Sequence, residues 1–163
     1  MTLDTEIKAD ERRDKLLVLL ACDPLIDVNR IEMNSDLLSP LDVKLLVVMA
    51  CEVPEESLAW FRKNLMPPAQ LRRQVAAREF ELQEHMFKVS KRLEQMGYEL
   101  DTRVERGRHT GEIIVKVAED AKVDLIVVNR RAQSTWQRLL IGSVGDYLAR
   151  HATRPLLTIP PSS

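Results

Sequence analysis

Three short apolar blocks constrain this chain more than anything else in it: Lys15–Ala21 (KLLVLLA), Val43–Met49 (VKLLVVM) and Asp124–Val128 (DLIVV). Each is far shorter than a membrane span and bounded by polar or turn residues, as expected of strands covered on both faces of a parallel sheet. Leu100, Thr102 and Val104 alternate with Asp101, Arg103 and Glu105, the period of a half-exposed strand, and Leu156–Ile159 supplies a fifth. Helical patterns lie between them; Thr110, for example, is positioned to cap a helix carrying Ile113, Ile114, Val117 and Ala118 on one face. Strands alternating with helices imply βαβ crossovers, so the expected class is α/β: a doubly wound five-stranded parallel sheet with helices on both faces. The ligand crevice of such a sheet lies at the C-terminal ends of its strands, at the switch point.

A length of 163 residues suits one domain, with residues 1–14 and 161–163 expected as flexible ends and 15–160 as the folded unit. Lysine and arginine number 24 against 25 acids, so the formal charge is −1. Such a balance gives no overall field for recruiting nucleic acid or a membrane surface. The charged stretch Met1–Lys15 does not read as a signal peptide, and no apolar run reaches the about 20 residues of a spanning helix; the expectation is a cytoplasmic protein. Two cysteines make no disulfide framework. Cys22 and Cys51 end the first two expected strands and read as buried, inert thiols, with a redox pair as the alternative. His85, His109 and His151 lack metal-ligand spacing and read as solvated or capping residues.

Asp23-Pro24 opens the first connection, with Asp23 as N-cap and proline in the first turn of a short helix within Leu25–Leu38, interrupted by Asn34, Ser35 and Asp36. Between the second and third strands, Glu55–Leu65 reads as a short helix with Trp60 and Phe61, stopped by Met66-Pro67-Pro68. A helix of about eight turns follows. Its core stripe is Leu71, Val75, Leu82, Met86, Val89, Leu93 and Met96, while Ala76, Phe80 and Phe87 project from nearly the opposite side. Cover for that second face is expected from the Trp60 segment, or else from a second subunit.

After Val128 the chain runs through Asn129-Arg-Arg-Ala132 and, nine residues later, reaches Gly142-Ser143-Val144, where Ser143 and Asp146 form an S-x-x-D helix start. Free backbone N–H groups at such a start suit an anion. Five arginines (Arg130, Arg131, Arg138, Arg150, Arg154) against the single acid Asp146 make this a basic stretch. The spacing resembles the G-x2-G-x9-G-[ST] motif of nucleotide-binding universal stress proteins. Asn129 and Ala132 stand at the first two glycine positions, and Gly142 and Ser143 at the last glycine and the hydroxyl. A strand ending in Asp23, Gly107 followed by a helix starting near Thr110, and Arg150–Ile159 also occur in the family's order, so the resemblance covers nearly the whole chain.

That resemblance implies the family fold, also described as adenine nucleotide alpha hydrolase-like. It implies a site for ATP or another adenine nucleotide, with magnesium, lined by Ala21, Asp23, Ala50, Val128, Asn129, Arg131, Ala132, Gly142, Ser143 and Val144. Asp23 would accept ribose hydrogen bonds; loop amides and the Ser143 hydroxyl would hold phosphates, with Arg131 adding charge. Glycine lets an amide approach an oxygen without a Cβ in the way, so Asn129 and Ala132 are expected to weaken binding. Asparagine tolerates left-handed backbone, whereas alanine meets a penalty of about 1–2 kcal/mol there. The resemblance also implies a homodimer through Leu156, Leu157, Thr158 and Ile159. The expected role is a nucleotide-sensing or partner-binding stress-response module without strong catalysis. A slow ATP hydrolase and a nucleotide-independent dimeric scaffold are the alternatives, and no catalytic residue or metal ligand is assigned.

Overall fold

The computed structural model describes residues 14–24, 37–63, 65–66, 68–129 and 144–159. Five strands are present among them: β1 (Leu16–Ala21), β2 (Val43–Glu52), β3 (Glu99–Gly107), β4 (Leu125–Asn129) and β5 (Leu156–Ile159). All pair in parallel, in the order β3-β2-β1-β4-β5. Helices α1 (Glu55–Arg62) and α2 (Ala69–Gln95) lie between β2 and β3, α3 (Thr110–Asp120) between β3 and β4, and α4 (Val144–His151) between β4 and β5. The expected class holds in full. The expectations of flexible ends and of a short helix after Pro24 fall almost wholly outside the described residues, as does the stretch from residue 130 to 143.

Strand alternation sorts the core into two layers. Val18, Leu20, Leu45, Val47 and Val127 pack with Leu58 of α1 and with Val75, Leu82, Met86, Val89 and Leu93 of α2. Leu19, Leu46, Val48, Ile126 and Val128 turn the other way, onto Ile113, Ile114, Val117 and Ala118 of α3 and Leu148 of α4. A strand with both sides buried shows no apolar alternation, so β1, β2 and β4 read as continuous apolar blocks. The outer strand β3 keeps its alternation.

Glycine and left-handed residues set the helix ends. At the end of α2, Gly97 has φ 93°, Tyr98 N–H donates to Leu93 O at 3.1 Å, and Gly97 N–H donates to Glu94 O at 2.9 Å. This is the Schellman arrangement, for which glycine carries no Cβ penalty. The same bonds end α3, yet there Lys122 adopts φ 51°. Gly111 is needed for close packing instead. A Cβ at that position would meet the Tyr147 ring at 2.5 Å, so its bare backbone lets α4 close on α3.

Several expectations need correction. Helix α1 stops at Arg62, short of the expected Leu65. Thr110 does not cap α3; it is the first helical residue, and the Glu52 carboxylate accepts its N–H and its hydroxyl, both at 2.7 Å. Nor does the Trp60 segment cover the second face of α2, because Phe80 is 62% and Phe87 63% exposed.

Candidate functional site

The strand order reverses about β1, whose chain leaves toward β2 on one side while β4 flanks it on the other. Such a switch point is where the ligand crevice of a doubly wound sheet lies. Ala21, the last residue of β1, stands level with Val48 of β2 and Val128 of β4. The Cys22 N–H still donates to Val48 O at 2.9 Å, so the next residue, Asp23, is the first to leave the sheet.

Side-chain parity makes a shelf of this rim. Ala21, Ala50 and Val128 all face the α3 and α4 layer, continuing the columns of Leu19, Val48 and Ile126. The first two columns drop from Leu19 and Val48 to the methyl groups of Ala21 and Ala50. Ala50 does not follow the second strand as expected; β2 runs on to Glu52, and Ala50 sits inside it opposite Glu105 of β3. Asn129 has the opposite parity, since Val127 belongs to the α1 and α2 layer. Its Oδ1 is buried and has no hydrogen-bond partner among the described residues. A buried carboxamide oxygen without a donor is costly.

Helix α4 runs from this rim down to the opposite one, starting at Val144, which is 37% exposed. Asp146 in its first turn complements the positive end of the helix. The remaining expected site residues, Arg131, Ala132, Gly142 and Ser143, lie outside the described residues. Of the five arginines, Arg150 and Arg154 are described, and both precede β5, whose first residue stands level with Ile126 near the start of β4. They belong to the far rim, so the basic stretch does not face the crevice as a unit.

Ion pairs brace the same edge from outside. The Arg106 guanidinium binds Glu79 of α2 through Nε and, at 2.8 Å, through Nη2, and the Glu79 carboxylate raises its already high pKa. Arg108 reaches Glu112 at 2.9 Å and Glu55 at 3.4 Å, tying α3 to the start of α1. Nothing in the sequence pattern assigns a role to these pairs, or to the capping Glu52.

The histidines separate. His151 stacks on Tyr147 with ring centroids 4.1 Å apart, and its Nδ1 lies 2.9 Å from Tyr147 O. His109 occupies the N-cap position of α3 without a side-chain capping bond. His85 departs from the solvated expectation: it is half-buried, its Nε2 is enclosed without a partner among the described residues, and burial, then Lys88, lowers its pKa. It lines a cavity of about 210 Å³ with Pro24, Arg78, Glu81, Leu82, Glu84 and Lys88, just beyond the end of β1.

The family model for the universal stress protein family matches residues 9–160. The chain belongs to the universal stress protein family. Two Methanocaldococcus jannaschii members align with about half of it: universal stress protein MJ0531 is 35% identical over 77 residues (47% of this chain, 45% of the relative), and MJ0577 is 29% identical over 79 residues (48% of each). The aligned part thus spans about half the length of these curated relatives. Solved structures extend the likeness of fold. The structure of MJ0577 matches with a TM-score of 0.66 over 93% of this chain and 99% of its own, at 16% identity. A universal stress protein in complex with cAMP matches at 0.58 over 92% and 100%, at 18% identity. An Arabidopsis thaliana family protein with AMP bound matches at 0.58 over 91% and 93%, at 19% identity.

The cysteines yield a test. Both are free; Cys51 is buried inside β2 as expected, whereas Cys22, just past β1, is only half-buried. Burial pushes the Cys22 thiol up to about 12, while burial and then the Glu79 carboxylate raise Cys51. Both should resist a disulfide exchange reagent at neutral pH in the folded protein and react once it is unfolded; fast native labelling would contradict this. Because the folded state favours neutral Cys22, its stabilisation is complete below the ordinary value of 9.0 and is lost as pH rises toward about 12. Denaturant titrations should therefore show a steeper alkaline loss of stability in the parent than in Cys22→Ala.

Proposed function

We propose that this universal stress protein binds an adenine nucleotide at the rim formed by β1, β4 and the start of α4, and acts as a nucleotide-sensing or partner-binding module in the stress response. The observation that carries the reading is the shelf of Ala21, Ala50 and Val128 beside Asp23, at the switch point of the parallel sheet. An adenine ring suits a flat, apolar shelf with a few polar groups at its border. Asp23 would take the ribose hydroxyls, and amides leading into Val144 would take phosphate, with magnesium as counter-ion for ATP. Support comes also from family members of the same fold solved with cAMP, AMP and dAMP.

Asn129 and Ala132 in place of glycines make the proposed affinity modest. Asn129 turns from the shelf by parity, which leaves Ala132 as the greater obstacle to amide approach. Calorimetry with ATP, AMP and cAMP tests this. Asp23→Ala should weaken binding by about tenfold or more, the value of a hydrogen bond to a charged group. Ala132→Gly with Asn129→Gly should strengthen it by up to about tenfold. No heat and no thermal shift at saturating nucleotide would overturn the reading in favour of the scaffold. Phosphate release that disappears in Ser143→Ala would convert it into a slow hydrolase.

We also propose a homodimer through the outer edge of β5. Ile126 N–H donates to Pro155 O at 2.8 Å, and the parallel register then turns the N–H and C=O of Leu156 and Thr158 away from β4. Leu156 and Leu157 pack partly into the two core layers, so the exposed Thr158 is the position to change. Thr158→Pro removes one edge donor and should shift the protein toward monomer in light scattering with little change in circular dichroism. An unaltered mass would move the contact away from β5.

A further inference from the structure

The second face of α2 is apolar, exposed and patterned. Phe80 and Phe87 lie two turns apart, about 10 Å along the axis, on the side away from Val75, Leu82, Met86, Val89 and Leu93. Arg73, Ala76, Gln83, Glu84, Lys91 and Glu94 flank them and are all exposed. A concavity of about 320 Å³ opens between the two rings, bordered by Gln83, Glu84 and Lys88.

Outward from the midpoint between Gln83 and Glu84, this face complements its own reverse. A copy laid antiparallel about a two-fold axis through that point sets Phe80 against the copy's Phe87, Ala76 against Lys91 and Arg73 against Glu94. The aromatic positions match, the small Ala76 leaves room for the long Lys91 stem, and opposite charges meet at both ends. A parallel copy would instead oppose Arg73 to Arg73 and Glu94 to Glu94. Arg73 makes no ion pair among the described residues. Glu94 holds Lys91 at 2.8 Å on the exposed surface, a pair readily shared with a second cation.

We propose that this face of α2 is a self-association surface on which a second copy of the chain packs antiparallel, each Phe80 stacking against the Phe87 of the other. One helix face supplies less area than the about 800 Å² per partner of a standard interface, so the contact is weaker than an obligate one. It is distinct from the β5 edge and does not depend on it. A chain with two different two-fold surfaces assembles into a tetramer if the axes close, or into an open array if they do not.

Sedimentation of the full chain over a concentration series tests the proposal, in the parent and in the Thr158→Pro background. Phe80→Glu should remove one association step without altering circular dichroism. Arg73→Glu should weaken that step by about tenfold, and Arg73→Glu with Glu94→Arg should restore it to within about twofold. A mass distribution indifferent to Phe80→Glu would overturn the proposal, as would a double variant weaker than either single one. A Thr158→Pro protein that stays monomeric at every concentration would also overturn it, leaving the face to a different protein.

Discussion

The β1–β4 pairing is the interaction on which the rest of this molecule depends. Asp124 N–H donates to Leu17 O at 2.8 Å, and the Asp124 carboxylate accepts the Leu17 N–H at 2.7 Å. This reciprocal clasp joins segments 107 residues apart at the base of the two strands. A one-residue slip would turn every side chain of β4 to the wrong layer, so the clasp and the two-sided core reinforce the same register. With that register fixed, Ala21 must stand level with Val128, and the two chain exits must diverge above them.

Two buried layers follow from the same constraint. Because β1, β2 and β4 are covered on both faces, alternation assigns Leu19, Val48 and Val128 to one layer and Leu20, Val47 and Val127 to the other. On the α3 and α4 side the β1 column ends in Ala21 and the β2 column narrows from Val48 to Ala50 before Glu52. The proposed shelf is therefore read from the same columns that build the core.

Much of this is legible in the sequence, for reasons visible in single residues. Short apolar blocks without period mark central strands, and the block Leu156–Ile159 coincides with β5. Gly107 before Thr110 marks the turn into α3. What escapes is set by distant partners: Glu52 caps α3 from 58 residues away, β2 runs through Ala50 because Glu105 and Arg106 pair with it, and Asp124 acts as a clasp and not as a strand residue. The Trp60 segment has the composition of a cover, but composition does not say which face of α2 it meets. Exposure of Phe80 and Phe87 answers that, and gives the helix a surface beyond its core role.

The proposed nucleotide site is the rim above β1 and β4. Amide NMR resolves this most directly, by titrating labelled protein with ATP and following each backbone N–H. A nucleotide held at that rim shifts Cys22, Asp23, Asn129 and Val144 progressively and leaves Arg150, Arg154 and the α2 face unmoved. Shifts centred on Arg150 and Arg154, or a spectrum that ATP leaves untouched, would contradict it.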